Sequence, residues 1–230
     1  MSKNNTTYKQ TPIGLIPSDW EVKRLEDVVT LINGKSYSQD ELLENGKYRV
    51  LRVGNLFSNN NWYYSNLELE DDKYVENGDL MYAWSASFGP RFWKEEKIIY
   101  HYHIWKVLIS DRTTKDFIYQ LLEFDKELIL RKTQGGTMVH ITKGDMENRK
   151  LPIPPLPEQQ KIATILSTWD TAIDNCKAII EKLKDRNKGL AQQLLTGKIR
   201  VKGFEKTKWK LTPLNECLAY TPREVPKPTG

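Results

Sequence analysis

The sequence predicts an α+β protein: one β-rich globular body followed by a long α-helix that pairs as a coiled coil with a second chain. Three observations carry this. Runs of β-branched and aromatic residues separated by turn signals fill residues 45–108. A proline-rich segment, Leu151-Pro152-Ile153-Pro154-Pro155-Leu156-Pro157, closes the body. From Ile162 onward, apolar residues recur every four and three positions. The boundaries that follow are 1–155 for the body, 156–197 for the helix, and 198–230 for a basic linker and the start of a second repeat.

In chain order, Tyr48-Arg49-Val50-Leu51-Arg52-Val53, Leu80-Met81-Tyr82-Ala83-Trp84 and the long run from Ile98 to Leu108 read as strands. Asn45-Gly46, Ser58-Asn59-Asn60-Asn61, Asn77-Gly78-Asp79 and Phe88-Gly89-Pro90 read as the turns between them. Residues 114–131 predict a helix with Phe117, Ile118, Leu121, Leu122 and Leu128 on its apolar stripe. A glycine loop, Gln134-Gly135-Gly136-Thr137, follows. Pro157 suits the first turn of the next helix, where its missing N–H costs nothing, and Glu158 suits the positive end of the helix dipole.

The long helix carries Ile162, Leu166, Trp169, Ile173, Cys176, Ile180, Leu183, Asn187, Leu190 and Leu194 at heptad a and d positions, and nine of these ten are apolar. So narrow a stripe suits a single partner helix better than a broad core. At about 1.5 Å per residue the seam runs about 50 Å. The chain has one such helix, so the partner is a second copy and these ten residues are the expected dimer interface. Gly197 is placed to end the helix.

The 230 residues are 39% hydrophobic, enough for a real core, and no apolar run approaches the roughly 18 residues of a membrane span. The polar start, Met1 to Thr7, has no secretory apolar region. Cys176 and Cys217 make no disulfide framework, so a reducing, cytoplasmic setting is expected. The net charge of +5 is unevenly spread. Residues 18–150 hold 19 Lys/Arg against 22 Asp/Glu, whereas residues 151–230 hold 14 against 8. A generic phosphate-binding body is therefore excluded, and DNA contact requires a local basic face or a partner. Lys198, Arg200, Lys202, Lys206, Lys208 and Lys210 surround only Glu205, which is either a solvated linker or a phosphate-contacting strip. A weak internal repeat relates Trp20-Glu21-Val22-Lys23-Arg24-Leu25 to Trp209-Lys210-Leu211-Thr212-Pro213-Leu214.

Catalytic signatures are weak. The Asn/Asp-Pro-Pro-Tyr/Phe loop of DNA amino-methyltransferases is missing, as are a P-loop and a Gly-x-Gly-x-x-Gly motif. Asp79 with Glu95-Glu96-Lys97 has the spacing of a metal-dependent nuclease core, but 30 acidic residues produce that spacing easily. His101 and His103 share a strand face by period two and read as strand packing rather than a zinc site. Ser85-Ala86-Ser87 lacks a nucleophile elbow.

The segment from Leu151 through the long helix to Val201 resembles the spacer region of type I restriction–modification specificity subunits. Ile16-Pro17-Ser18-Asp19-Trp20-Glu21-Val22-Lys23-Arg24-Leu25 resembles the opening of their target-recognition domain. Leu51 to Leu56, Gly78 to Met81, Gly136-Thr137 and Ile141 to Asp145 are similar to its internal motifs. The resemblance spans residues 12–225. It implies a DNA-binding, non-catalytic subunit whose spacer helices pair as an antiparallel coiled coil between two DNA-reading domains. The implied partners are double-stranded DNA, modification (methyltransferase) subunits that bind S-adenosylmethionine, and restriction (translocase/nuclease) subunits that use ATP and Mg²⁺. No cofactor is expected in this chain, and no membrane partner.

The chain stops about 20 residues into the second copy, which predicts a half-length form that restores the full architecture as a homodimer on a bipartite, inverted-repeat target. In an antiparallel pair centred near residue 178, Asn187 lies near Trp169 of the other copy. The expected DNA-reading residues are Lys35, Ser36, Tyr37, Arg52, Asn55, Ser85, Ser87, Arg91, Thr133, Gln134 and Thr137, loop donors and acceptors suited to base edges and phosphates. A stand-alone dimeric DNA-binding regulator, a coiled-coil adaptor and the nuclease remain as alternatives at this point.

Overall fold

A computed structural model describes residues 7–85, 87–132 and 141–217. Its elements are β1 (Tyr8–Thr11), β2 (Gly14–Pro17), β3 (Glu21–Arg24), β4 (Val29–Asn33), β5 (Tyr48–Leu51), α1 (Val53–Phe57), β6 (Tyr63–Ser65), β7 (Tyr74–Val75), β8 (Leu80–Ala83), β9 (Gly89–Phe92), β10 (Ile98–Tyr100), β11 (Ile104–Ile109), α2 (Lys115–Lys132), α3 (Lys143–Glu147), β12 (Lys150–Ile153), α4 (Leu156–Leu195) and α5 (Leu214–Cys217). The chain divides into two compact units, residues 1–171 and 172–230, with the boundary inside α4.

In the first unit the described strands form two four-stranded sheets, ordered β6-β5-β10-β7 and β4-β11-β8-β9, and two ribbons, β1-β2 and β3-β12. The β8–β11 layer is covered on both faces. Leu80, Tyr82, Trp105 and Val107 pack with Phe117, Ile118 and Leu122 of α2. Their neighbours Met81 and Ile104 pack with Leu51, Val75, Ile98 and Tyr100 of the other sheet. Burial on both sides explains why Leu80 to Ala83 is continuously apolar instead of alternating. The outer face of the β6-β5-β10-β7 sheet carries Val50, Tyr74 and Ile99 under Tyr37, Tyr48 and Tyr63. Burying these faces, at about 25 cal/mol per Å² of apolar surface, is the main force holding the body together.

Four sequence expectations are revised. The run Ile98 to Leu108 is two strands in different sheets, joined by a tight turn at His101-Tyr102-His103. The Ile104 N–H donates to His101 O at 3.0 Å and closes that turn. Val53 begins α1 instead of ending a strand, because the Asn55 side chain accepts from the Arg52 N–H at 3.3 Å and caps the helix. Gly89 and Pro90 lie within β9, which tolerates proline because it is an edge strand. Gly89 has φ +126°, and a Cβ there would meet Lys126 Cδ at 2.8 Å. On α2, Ile129 is buried and Leu128 is exposed, so the stripe runs through Asp125, whose carboxylate is buried against Arg149.

α4 is a continuous 40-residue helix that starts at Leu156. Pro157 sits in its first turn, where no backbone donor is needed. It ends as expected: Gly197 adopts φ +71°, its N–H donates to Leu194 O at 3.2 Å, and the Ile199 N–H donates to Gln193 O at 3.1 Å. No helix among the described residues is long and apolar enough to cross a membrane.

In the second unit Trp209 lies against Gly197, with the Arg200 guanidinium over its ring at 5.5 Å. The two copies of the weak repeat differ in outcome. Val22 lies on β3, paired to β12, and Leu25 is fully buried, whereas Trp209 to Pro213 form no strand and Leu214 is exposed. The first copy has a ribbon partner and a core to bury against; among the described residues the second has neither.

Candidate nucleic-acid interface

Sheet directions bring separate segments of the first unit to one rim. β4 and β8 both run antiparallel to β11, so their C-terminal ends flank its start. β10 ends three residues before β11, and β5 runs parallel to β10 and ends beside it. The residues that follow β4, β5 and β8 therefore gather around the His101–His103 turn. Backbone bonds hold them there. The Lys35 N–H donates to Tyr100 O at 3.0 Å, Tyr102 N–H to Lys35 O at 3.0 Å, His101 N–H to Leu51 O at 2.9 Å, and Trp84 N–H to His103 O at 3.2 Å. Gly34 makes this close approach possible, since a Cβ at that position would stand 2.3 Å from Tyr100 O.

The rim is aromatic and locally basic. Tyr37 stacks on His101, and the rings of His101, Tyr102, His103 and Trp84 are in succession within 6.1 Å of one another. The Trp84 indole N–H donates to Tyr102 O at 3.0 Å, fixing the turn. Arg52 lies over the Tyr63 ring at 4.4 Å, and its buried Nε finds no acceptor among the described residues. Lys35 is half-buried and bonds both oxygens of Glu41 at 3.0 Å. Burial first, then His103 and Arg52, push the His101 imidazole down to about 4. It is therefore neutral at neutral pH and offers one donor and one acceptor. Burial, then Glu41 and Tyr74, push the Tyr37 phenol up, so its hydroxyl, without a partner among the described residues, stays protonated.

The structure brings Lys35, Ser36, Tyr37, Arg52, Ser85 and Ser87 of the expected reading residues to this rim. Ser36 and Ser87 are exposed, while Ser85 is buried. Asn55 is fully engaged in local structure: besides capping α1, its amide donates to Asn59 O at 3.0 Å and Asn61 O at 2.8 Å. Arg91 lies opposite Met81 in the ladder interior and bonds Glu123 at 2.7 Å and Pro90 O at 2.8 Å. Thr133, Gln134 and Thr137 lie outside the described residues, as does His140. Sequence reasoning missed Trp84 and Tyr102 and placed His101 and His103 on a strand face. The dense run Tyr100-His101-Tyr102-His103 was the available signal.

The carboxylates of the nuclease-like spacing serve other cations. Asp79 pairs with Lys106 at 2.8 Å, Glu95 and Glu96 with Arg49 at 2.7 and 3.1 Å, and Lys97 pairs with Glu76 at 3.3 Å. Along α4, Ile162 is half-buried against the core. From Leu166 the seam is open to solvent: Trp169 is 67% exposed and Ile173 and Ile180 are each 50% exposed, with Cys176, Leu183, Asn187 and Leu190 also exposed and Leu194 half-buried.

Residues 17–185 match the family described as the type I restriction modification DNA specificity domain. The chain is 29% identical over 215 residues to the type I restriction enzyme MjaVIII specificity subunit of Methanocaldococcus jannaschii, covering 86% of this chain and 50% of that one. It is 26% identical over 207 residues to the EcoBI specificity subunit of Escherichia coli, covering 86% and 44%. The chain thus spans about half the length of the curated relatives it matches. Among solved structures, a chain of a type I R-M system superposes with a TM-score of 0.61 at 21% identity, covering 79% of this chain and 46% of that one. The HsdS subunit of Thermoanaerobacter tengcongensis does so at 0.58 and 18%, covering 81% and 47%. These likenesses show that the fold is shared.

Proposed function

The chain belongs to the type I restriction modification DNA specificity family, and from that footing we propose that it is the sequence-reading, non-catalytic component of a type I restriction–modification complex. The carrying observation is the rim, where four chain segments present Lys35, Ser36, Tyr37, Arg52, Ser87 and the His101–His103 turn together. Arg52 anchors a phosphate, Lys35 can join it only by giving up its pair with Glu41, and neutral His101, Tyr102 and the serine hydroxyls address base edges. Because residues 18–150 are net acidic, the modification subunits complete the grip on the duplex, and restriction subunits act on the complex so formed. S-adenosylmethionine, ATP and Mg²⁺ belong to those subunits.

The open seam of α4 is covered by a second copy. In an antiparallel pair centred near residue 178, every a position faces a d position: Leu166 meets Leu190, Ile173 meets Leu183, Ile180 meets Cys176, Leu194 meets Ile162, and Asn187 meets Trp169. The same register sets Asp170 near Lys184 of the other copy, an attractive pair. Two identical recognition bodies then read an inverted, two-part target. The gap between half-sites is below about 15 bp, since about 50 Å of coil divided by about 3.4 Å per step is the upper bound.

Methylome sequencing of cells holding the modification subunit, with and without this chain, tests the reading. The expected result is methylation at an inverted two-part motif that appears only with the chain. A methylome that does not change with the chain would refute it.

A further inference from the structure

Two adjacent side chains tie the first turn of α4 to the body. Gln159 is fully buried, and its amide is fully used. Nε2 donates to Arg112 O at 3.0 Å and Pro154 O at 2.8 Å, while Oε1 accepts from Thr113 Oγ1 at 2.9 Å and the Thr114 N–H at 3.2 Å. Glu158 accepts the Trp20 indole N–H at 3.0 Å. Trp20 directly precedes β3, and β12, the ribbon partner of β3, leads into α4. One helical turn is thus bonded to the lead-in of β3, the loop before α2 and the proline segment after β12. An apolar side chain would fill the same space but would leave the Arg112 and Pro154 carbonyls, the Thr113 hydroxyl and the Thr114 N–H without these partners. With all four of its bonds made, the amide is satisfied in one arrangement of helix and body, which holds the helix to that direction.

We propose that Gln159, with Glu158 beside it, is a positioning residue for target spacing: it fixes the direction in which α4 leaves the recognition body and so selects the gap between half-sites. This rests on the reading that two chains pair through α4 on an inverted target. From Gln159 to residue 178 is about 28 Å of helix, and one base-pair step is about 3.4 Å. A tilt of about 7° at the latch in one chain, or half that in both, swings a point about 28 Å away by about one step, and the part of that swing that lies along the duplex changes the gap. Loosening the latch broadens the accepted gap and leaves the rim untouched.

The test uses the full chain assembled with its modification subunits. Methylation is read on a plasmid library that holds the half-sites found for the unsubstituted chain at the natural gap, one base pair closer and one wider. Gln159→Met keeps the volume and removes all four bonds. It is expected to retain the half-site sequence while raising off-gap methylation, relative to the natural gap, by about fivefold or more. Glu158→Ala is expected to shift the ratio the same way but less, and Glu158→Gln, which keeps an acceptor for Trp20, to leave it unchanged. Val75→Ala, a cavity in the core between the two four-stranded sheets, is expected to lower methylation at all three gaps in one proportion. An unchanged gap ratio in a folded Gln159→Met chain, or an altered half-site sequence, overturns the proposal. If thermal melting shows Gln159→Met unfolded, the Glu158→Ala ratio decides in its place. An unsubstituted chain that marks no inverted two-part motif removes the pairing reading, and the latch proposal with it.

Discussion

Replacing Gly34 with alanine is the sharpest test of how the rim is built. The added Cβ would stand 2.3 Å from Tyr100 O and 2.6 Å from both the carbonyl carbon and the oxygen of His101. These are backbone atoms, so no side-chain rotation relieves the clash. Restoring ordinary contact, near 3.5 Å, requires the two segments to part by about 1 Å. That separation stretches the bonds from Gly34 N–H to Ile104 O at 3.2 Å, Lys35 N–H to Tyr100 O at 3.0 Å, and Tyr102 N–H to Lys35 O at 3.0 Å. At about 1 kcal/mol each, their loss costs about 2–3 kcal/mol. For a chain of this size that lowers Tm by about 5–10 °C. The core is not invaded, so circular dichroism at 25 °C is expected to match the unsubstituted protein. Methylation of the natural target is expected to fall more than the loss of stability explains, because the His101–His103 turn has moved. A Gly34→Ala chain with unchanged Tm and unchanged target methylation would show that the rim does not depend on this approach.

Three further outcomes follow from the same geometry. Arg52→Ala is expected to weaken DNA binding by the assembled complex and reduce the steepness of its salt dependence by about one unit, whereas Arg91→Ala, already neutralised by Glu123, leaves target preference intact; titrations over a range of salt concentrations separate them, and equal effects would contradict the assignment. Ile173→Asp combined with Ile180→Asp, both at half-exposed seam positions, is expected to give monomers by light scattering with no change in the melting of the body, and a persisting dimer would refute the seam. His101, held neutral with its value lowered to about 4 from 6.5, binds fewer protons folded than unfolded between those values. Its contribution is thus complete above about pH 6.5 and is lost as pH falls towards 4, about 1–2 kcal/mol after discounting its partial exposure. Melting curves of His101→Gln against the unsubstituted chain should converge as pH falls through that window, and parallel curves would count against it.

Part of the candidate site was legible in the sequence. Lys35, Tyr37 and Arg52 stand out there as polar, aromatic or basic candidates for reading DNA, and the structure gathers them at one rim. The strand that leads to Lys35, β4 (Val29–Asn33), is not among the predicted strands, and Arg52 falls inside a predicted one. Asn55 and Arg91 show the limit of that reasoning. Both are polar loop or edge residues by sequence, but Asn55 spends its amide on capping α1 and Arg91 spends its charge on Glu123. These contacts link residues 3–6 positions apart in one case and 32 in the other. The His101–His103 turn was hidden because a strand, a tight turn and a second strand can share one aromatic, β-branched composition. Gln159 was hidden for a similar reason. An amide in the first turn of a helix is unremarkable until its four partners are known.

By itself the sequence determined the periodic features: a helix of heptad character, its glycine stop, the proline-marked exit from a β-rich body, and the uneven placement of charge. Each depends on residues near one another along the chain, so spacing alone encodes it. Only the tertiary structure decided which loops meet, which cations already have carboxylate partners, and how the helix is bolted to the body. Those outcomes depend on contacts between residues distant in sequence, such as Lys35 with Tyr100 and Trp20 with Glu158, and sheet order settles them, not local preference.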